Sequence, residues 1–374
     1  MKRRILALLL AGCLALSLTG CSMFKKEYLS VTKYEDAVRA DETAAVDVSA
    51  YAGVRNAVEA LVRTHRTVGR LRFVNYSGTV QTDLSQVCQE VKNRYALASY
   101  AVNYMSTDLS RTSGFYEAII YISYRHTQSE IDAVRYLSDK SALPAALDET
   151  LSNLATYAAF KLISPTITAD EVRAAVVSAF CTDPTSCVVQ PEVAVQIYPE
   201  NGSLRFVEVE LEYGWHTSEL QKMKSTLFGR VNQFSDGIAG AGGPRYALSA
   251  FERIAKSCAY EPENGEALSS TAYGALVNGK ADSRGLALAF SALCKKGDVE
   301  CRVVDGSVNG VPHSWNIVLL GGAAYHVDVS AGISAGSDGT FMRTDREMLD
   351  QGYVWDATAY PACTTERAQG ILMS

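Results

Sequence analysis

Ser283-Arg284-Gly285-Leu286-Ala287, then Pro312-His313-Ser314-Trp315-Asn316, then Tyr325-His326-Val327-Asp328-Val329 carry the most informative pattern in the chain. Leu286, Phe290 and Leu293 recur at helical spacing, which predicts a helix beginning near Ser283. Val311 to Leu320 and Ala324 to Val329 alternate or run apolar, as strands in a sheet interior do. Side chains alternate across a strand, so His313 and Trp315 are expected on one face, and His326 and Asp328 likewise share a face. The His313 imidazole and the Asp328 carboxylate are therefore expected to meet at the helix N-terminus, where amide donors and the helix dipole favour an anion. Asp282 stands where a helix cap belongs, and Arg284 is placed to pair with it.

Together with Tyr273-Gly274-Ala275-Leu276-Val277-Asn278-Gly279-Lys280, Phe341-Met342-Arg343-Thr344-Asp345 and Gly352-Tyr353-Val354-Trp355-Asp356, these blocks resemble the bacterial transglutaminase-like (transglutaminase/papain-type) superfamily over residues 245 to 365. The resemblance implies a central helix packed on an antiparallel sheet, with a Cys opening the helix and a His and an Asp on two following strands. His313 and Asp328 stand at the last two positions, and Ser283 stands where the Cys would be. Cys294 and Cys301 lie about three helical turns away or on the next strand, out of reach of that place.

The swap matters because a thiol with a pKa of about 8.5 ionises readily beside an imidazolium, whereas a hydroxyl offers no resting anion. Ser283 acts as a nucleophile only if His313 takes its proton during attack while Asp328 fixes the imidazole tautomer. The charge of Asp282 opposes an anion next to it. Three readings follow: a degenerate, non-catalytic domain whose cleft binds peptide or cell-wall peptide; a serine-dependent amidase, peptidase or acyl transferase using Ser283, His313 and Asp328; and a structural surface module without a ligand. Tyr273, Asp282, Arg284, Trp315 and His326 are expected to line the cleft. There is no CxxC or Cys/His metal spacing, so neither a metal nor a cofactor is expected.

Upstream, residues 236–244 hold four glycines and a proline and read as a linker ahead of a domain over 245–374. Residues 47–141 and 142–235 read as two related α+β units, each a helix, a hairpin and a helix. In the first, Val54, Val58, Leu61 and Val62 mark a helix, strands are expected over 97–106 and 115–124, and Thr127 to Glu130 is a capping box before a helix carrying Ile131, Val134 and Leu137. In the second, Thr168 to Glu171 caps a helix, and two strands flank Pro199-Glu200-Asn201-Gly202. Tyr124 to Ile131 and Tyr213 to Leu220 share Tyr, Ser and Glu at equal offsets. The fold class expected is α+β throughout.

Lys2-Arg3-Arg4 and the apolar run from Ile5 to Leu16 have the form of a secretory signal over residues 1–20. It ends in Leu18-Thr19-Gly20-Cys21, which resembles the bacterial lipobox, in which the Cys becomes the acylated first residue of the mature chain. The expected location is the extracytoplasmic face of the cell membrane, with fatty acyl chains on Cys21 as the tether and residues 21–46 as a spacer. The net charge of -6 and the absence of a basic stripe exclude nucleic acid as an expected partner. Export permits disulfides, and Asp183-Pro184 is a turn that could bring Cys181 and Cys187 together. Cys88 and Cys294 fall on apolar helix faces, as small buried side chains do.

Overall fold

The computed structural model describes residues 44–112, 114–238, 243–261, 267–336 and 340–366. The expected signal, Cys21, most of the spacer and residues 239–242 of the glycine-rich segment lie outside the described residues. The elements run β1 (Val46–Val48), α1 (Tyr51–Arg63), β2 (Val68–Phe73), α2 (Val80–Arg94), α3 (Ala96–Ala101), β3 (Val102–Thr112), β4 (Phe115–Tyr124), α4 (Gln128–Asp132), β5 (Arg135–Leu137), α5 (Leu143–Ser152), β6 (Tyr157–Ile163), α6 (Ala169–Thr182), β7 (Glu192–Tyr198), β8 (Leu204–Glu212) and α7 (Thr217–Ser235). They continue with α8 (Gly243–Ser257), β9 (Ala259–Tyr260), β10 (Lys280–Ala281), α9 (Ser283–Lys296), β11 (Cys301–Val308), β12 (Val311–Leu320), β13 (Ala323–Val327), α10 (Val329–Ala335), β14 (Phe341–Arg343), α11 (Asp345–Asp350) and β15 (Tyr353–Val354). Among the described residues no helix is long and apolar enough to cross a membrane.

These elements make two compact units, residues 44–87 with 105–122 and residues 88–104 with 123–366. The first contains a sheet in the order β1-β2-β4-β3, with β1 parallel to β2 and β4 antiparallel to it. Val54, Val58 and Val62 of α1 are buried, as the helical spacing requires, and Leu71, Phe73, Ala118 and Ile120 supply buried side chains from the strands.

The second unit contains a sheet in the order β5-β6-β8-β7, with the same senses of pairing. Its register matches as well: Arg135 pairs with Phe160 as Val46 does with Leu71, and Tyr157 with Glu210 as Val68 does with Tyr121, each pair shifted along the chain by the same number of residues. Two local expectations fail here. The Thr127 capping box forms, but its helix stops at Asp132, and Arg135–Leu137 becomes a strand paired with β6. The second sheet therefore begins before residue 142. The strand expected over 97–106 is helical as far as Ala101, since Ala96, Ala98 and Ala101 favour a helix that buries Tyr100.

The same unit also holds the antiparallel sheet β14-β13-β12-β11-β15 with α9 against β11 and β12. Helices α6, α7 and α8 pack on α9 from its other sides, so every residue from Gly285 to Cys294 is buried rather than a single stripe of Leu286, Phe290 and Leu293. Gly285 is required: a Cβ there would lie 2.1 Å from the carbonyl oxygen of Ser269 and 2.8 Å from Cβ of Ala281. One hydrophobic core runs from Leu137 through Phe234, Tyr246 and Phe290 to Phe341. Buried side chains from before residue 236 and from after residue 244 thus belong to the same core.

Candidate functional site

Ser283 is the first residue of α9, and its side chain is fully buried. Asp282 is the N-cap; its Oδ1 accepts the N–H of Gly285 at 2.8 Å and its Oδ2 accepts the hydroxyl of Ser270. The β12–β13 ladder ends at Asn316 and Val327, so the N–H of Ser314 has no partner on β13. It donates instead to Oγ of Ser283 at 3.1 Å, which fixes the hydroxyl beside the backbone that carries His313.

His313 Nε2 lies 2.8 Å from Oδ2 of Asp328. A carboxylate only accepts, so Nε2 carries the proton and Nδ1 is the basic nitrogen. Asp328 has left the strand: it is the N-cap of α10, with Oδ1 accepting the N–H of Ala331 at 3.0 Å. The hydroxyl of Ser330 donates to Oδ1 at 2.5 Å, and that of Tyr353 to Oδ2 at 2.6 Å. Ser330 Oγ is also 3.3 Å from Nε2 of His313. Burial works to raise the pKa of Asp328, but the hydrogen bond and charge of His313, with the two hydroxyls, outweigh it and hold the carboxyl below its usual value. Burial and the adjacent carboxylate push the Tyr353 phenol up, so it remains a donor.

Ser283, His313 and Asp328 thus lie around one end of β12, whereas the expected lining of the cleft is largely not there. Asp282 is buried and spent on its cap. Arg284 turns from Asp282 to Asp305 on β11, at 2.6 Å, and to Oε1 of Gln190, at 2.7 Å, because these two acceptors flank its guanidinium. Tyr273 is half-buried against the core around α9. Trp315 and His326 are fully buried and line no cleft. The Trp315 indole donates to Nδ1 of His326 at 2.8 Å, and Nε2 of His326 meets Oδ1 of Asp345 at 2.8 Å. His326 and Asp328 do not share a strand face, since β13 ends at Val327.

His326, Asp345 and Cys363 bring potential ligand atoms within 4.8 Å of one another. Their chemistry does not fit a metal. An indole N–H can only donate, so Nδ1 of His326 must accept and Nε2 holds the proton that a metal would need removed. Burial and Asp345 push the Cys363 thiol up to about 12, away from the thiolate.

Cys181 and Cys187 are free; burial pushes the first up to about 11 and the second to about 12. Cys181 Sγ is 3.8 Å from the Arg284 guanidinium. Cys88 and Cys294 are buried within their helices, as expected. Sequence reasoning missed Ser330 and Tyr353. Ser330 is visible as a hydroxyl two residues beyond the carboxylate, but no spacing links Tyr353 to Asp328.

No family model and no curated protein matches this chain. Among solved structures it is similar to a TGase, with 11% identity over 48% of this chain and 52% of that one, at a TM-score of 0.28. It is also similar to a candidate cysteine protease from Cytophaga hutchinsonii, with 11% identity over 44% of this chain and 65% of the other, at 0.26. A candidate protease from Parabacteroides distasonis shares 6% identity over 73% of this chain and 64% of its own, at 0.22. The chain thus spans less than two thirds of each. Likenesses this distant carry no weight for activity.

Proposed function

We propose that residues 245–365 are a transglutaminase-like domain in which Ser283 replaces the thiol, and that the domain is non-catalytic and binds peptide or cell-wall peptide at the His313 end of its cleft. The supporting observation is the state of Ser283: its side chain is fully buried, and its oxygen takes up the N–H of Ser314. An acyl carbon has no approach to a hydroxyl so enclosed, and an oxygen accepting a hydrogen bond gives up electron density that attack would need. Two related α+β units precede this domain, and the lipidated Cys21 holds the chain on the extracytoplasmic face of the membrane. Cys21→Ser is expected to move the protein from the membrane to the soluble fraction.

A serine-dependent amidase or acyl transferase is the second reading, and one observation favours it. The His313–Asp328 pair retains the tautomer a general base requires. A fluorophosphonate probe separates the two. The expected result is no labelling of the wild type; labelling that disappears in Ser283→Ala overturns the non-catalytic reading. Ser283→Cys is expected to stay unreactive toward iodoacetamide in the folded protein, since the position is fully buried; alkylation that falls when His313 is replaced by Ala would overturn that enclosure.

A further inference from the structure

The larger unit holds a concave site formed by residues that take no part around Ser283. It is a cleft of about 930 Å³ lined by Lys92, Arg94, Arg125, Gln196, Tyr198 and Glu200 among others, with Glu200 its single acid. Several arginines of this acidic chain face a carboxylate: Arg72 has Asp47, Arg135 has Glu149 and Arg284 has Asp305. Among the described residues, no ion pair joins Lys92, Arg94 or Arg125 to an acid.

Arg125 is nevertheless held firmly. Its Nη2 donates to the carbonyls of Ser99 at 2.6 Å and Val102 at 3.3 Å, and its Nη1 donates to the Tyr198 hydroxyl at 3.2 Å. Its guanidinium carbon lies over the Tyr198 ring, 4.6 Å from the centroid. These partners are neutral. They fix the fork, and two of its five N–H groups remain after these bonds. Glu208, the acid behind Tyr198, is already engaged by the Tyr157 hydroxyl at 2.8 Å and by His126 at 3.1 Å. A guanidinium oriented by neutral groups and without a counter-charge is prepared for an oxyanion from outside.

The other wall is backbone. Gln196 and Tyr198 belong to β7, the last strand of its sheet, whose far edge has no neighbouring strand among the described residues. Such an edge offers alternating N–H and C=O groups, a pattern that an extended polypeptide matches. We propose that this cleft docks an extended, carboxylate-rich peptide segment that adds its backbone to the edge of β7 and sets its side-chain carboxylates against Lys92, Arg94 and Arg125. A phosphate polymer would satisfy the cations but leave the strand edge unused, so the two walls together favour the peptide. The proposal is independent of what Ser283 does.

Fluorescence anisotropy of the full chain in detergent, with a fluorescein-labelled oligo-glutamate of about ten residues as probe, tests this. Saturable binding is expected, with oligo-lysine of equal length not competing. Lys92→Glu with Arg94→Glu, at a helix end whose hydrogen bonds do not involve Arg125, is expected to weaken binding by about tenfold or more. Arg125→Lys, which keeps the charge and loses the fork, is expected to weaken it several-fold, with circular dichroism confirming the fold of each variant. An oligo-glutamate methylated on alternate backbone nitrogens is expected to bind more weakly than its parent. No binding of the probe, no effect of the substitutions, or equal competition by inorganic polyphosphate and by the methylated peptide would overturn the proposal.

Discussion

His313 with Asp328 and His326 with Asp345 are two imidazole–carboxylate pairs on the same sheet, each with an N···O distance of 2.8 Å. They differ in what holds the rest of each ring. His326 is fully buried, and Trp315 occupies its second nitrogen, so the pair is a closed hydrogen-bonded knot in which neither partner can exchange its proton without loss. The His313 side chain keeps 14% of its surface exposed, and there the carboxylate, not the imidazole, collects the additional donors, Ser330 and Tyr353. A His–Asp pair is therefore not evidence of chemistry in itself. The second ring nitrogen and access to it decide whether the pair supports a fold or serves a reaction.

The contrast is broken most sharply by truncating each ring. His326→Ala leaves the Trp315 indole without its acceptor and opens a cavity, and is expected to cost about 3 kcal/mol in urea unfolding. His313→Ala, at a partly exposed position, is expected to cost about 1 kcal/mol or less. Equal costs would mean that both pairs are structural. Trp315→Phe removes the donor that opposes protonation of His326, and is expected to cost about 2 kcal/mol and to raise the imidazole pKa, as read by NMR titration.

Acid unfolding separates the pairs by window. Burial holds the His326 pKa below its usual 6.5, against the opposing pull of Asp345. The unfolded chain then takes up a proton before the folded one does. Stability attached to His326 is complete above pH 6.5 and declines as the pH falls toward the folded value. Asp328 is held below its usual 3.8, so its contribution is complete above 3.8 and is lost only as the pH falls further. His326→Gln is expected to flatten the upper step of melting temperature against pH and leave the lower one. A similarly small effect is expected from Tyr353→Phe, about 1 kcal/mol in urea, since Asp328 keeps its bonds to His313, Ser330 and Ala331. A loss as large as that of His326→Ala would place Tyr353 at the centre of the site's architecture.

Much of this was legible in the sequence. The start of α9, its Asp282 cap and the threonine capping boxes are local signals, and local hydrogen bonds determine them. The alternation of β12 correctly put His313 and Trp315 on one face, and their rings lie 6.2 Å apart. What the pattern did not contain was where a strand stops. Asp328 reads as the next residue of β13, yet its carboxylate caps α10 and turns the chain, which separates it from His326. Arg135–Leu137 continue a helical spacing in the sequence because three residues are too few to show a strand period, and only pairing with β6 makes them a strand. The turn of Arg284 toward Gln190 was equally invisible, since 94 positions separate the two residues.

That reach of Arg284 has a practical consequence. Gln190 and Cys181, which flank its guanidinium, come from the stretch that precedes the glycine-rich segment, and Ser291 of the same helix donates to the Cys181 carbonyl at 2.9 Å. Cutting the gene at the glycines would strip α9 of these contacts and bare the apolar sides of α6 and α7. A soluble fragment for crystallisation or screening should therefore retain the second sheet, and excised residues 245–374 are expected to aggregate rather than report on the site.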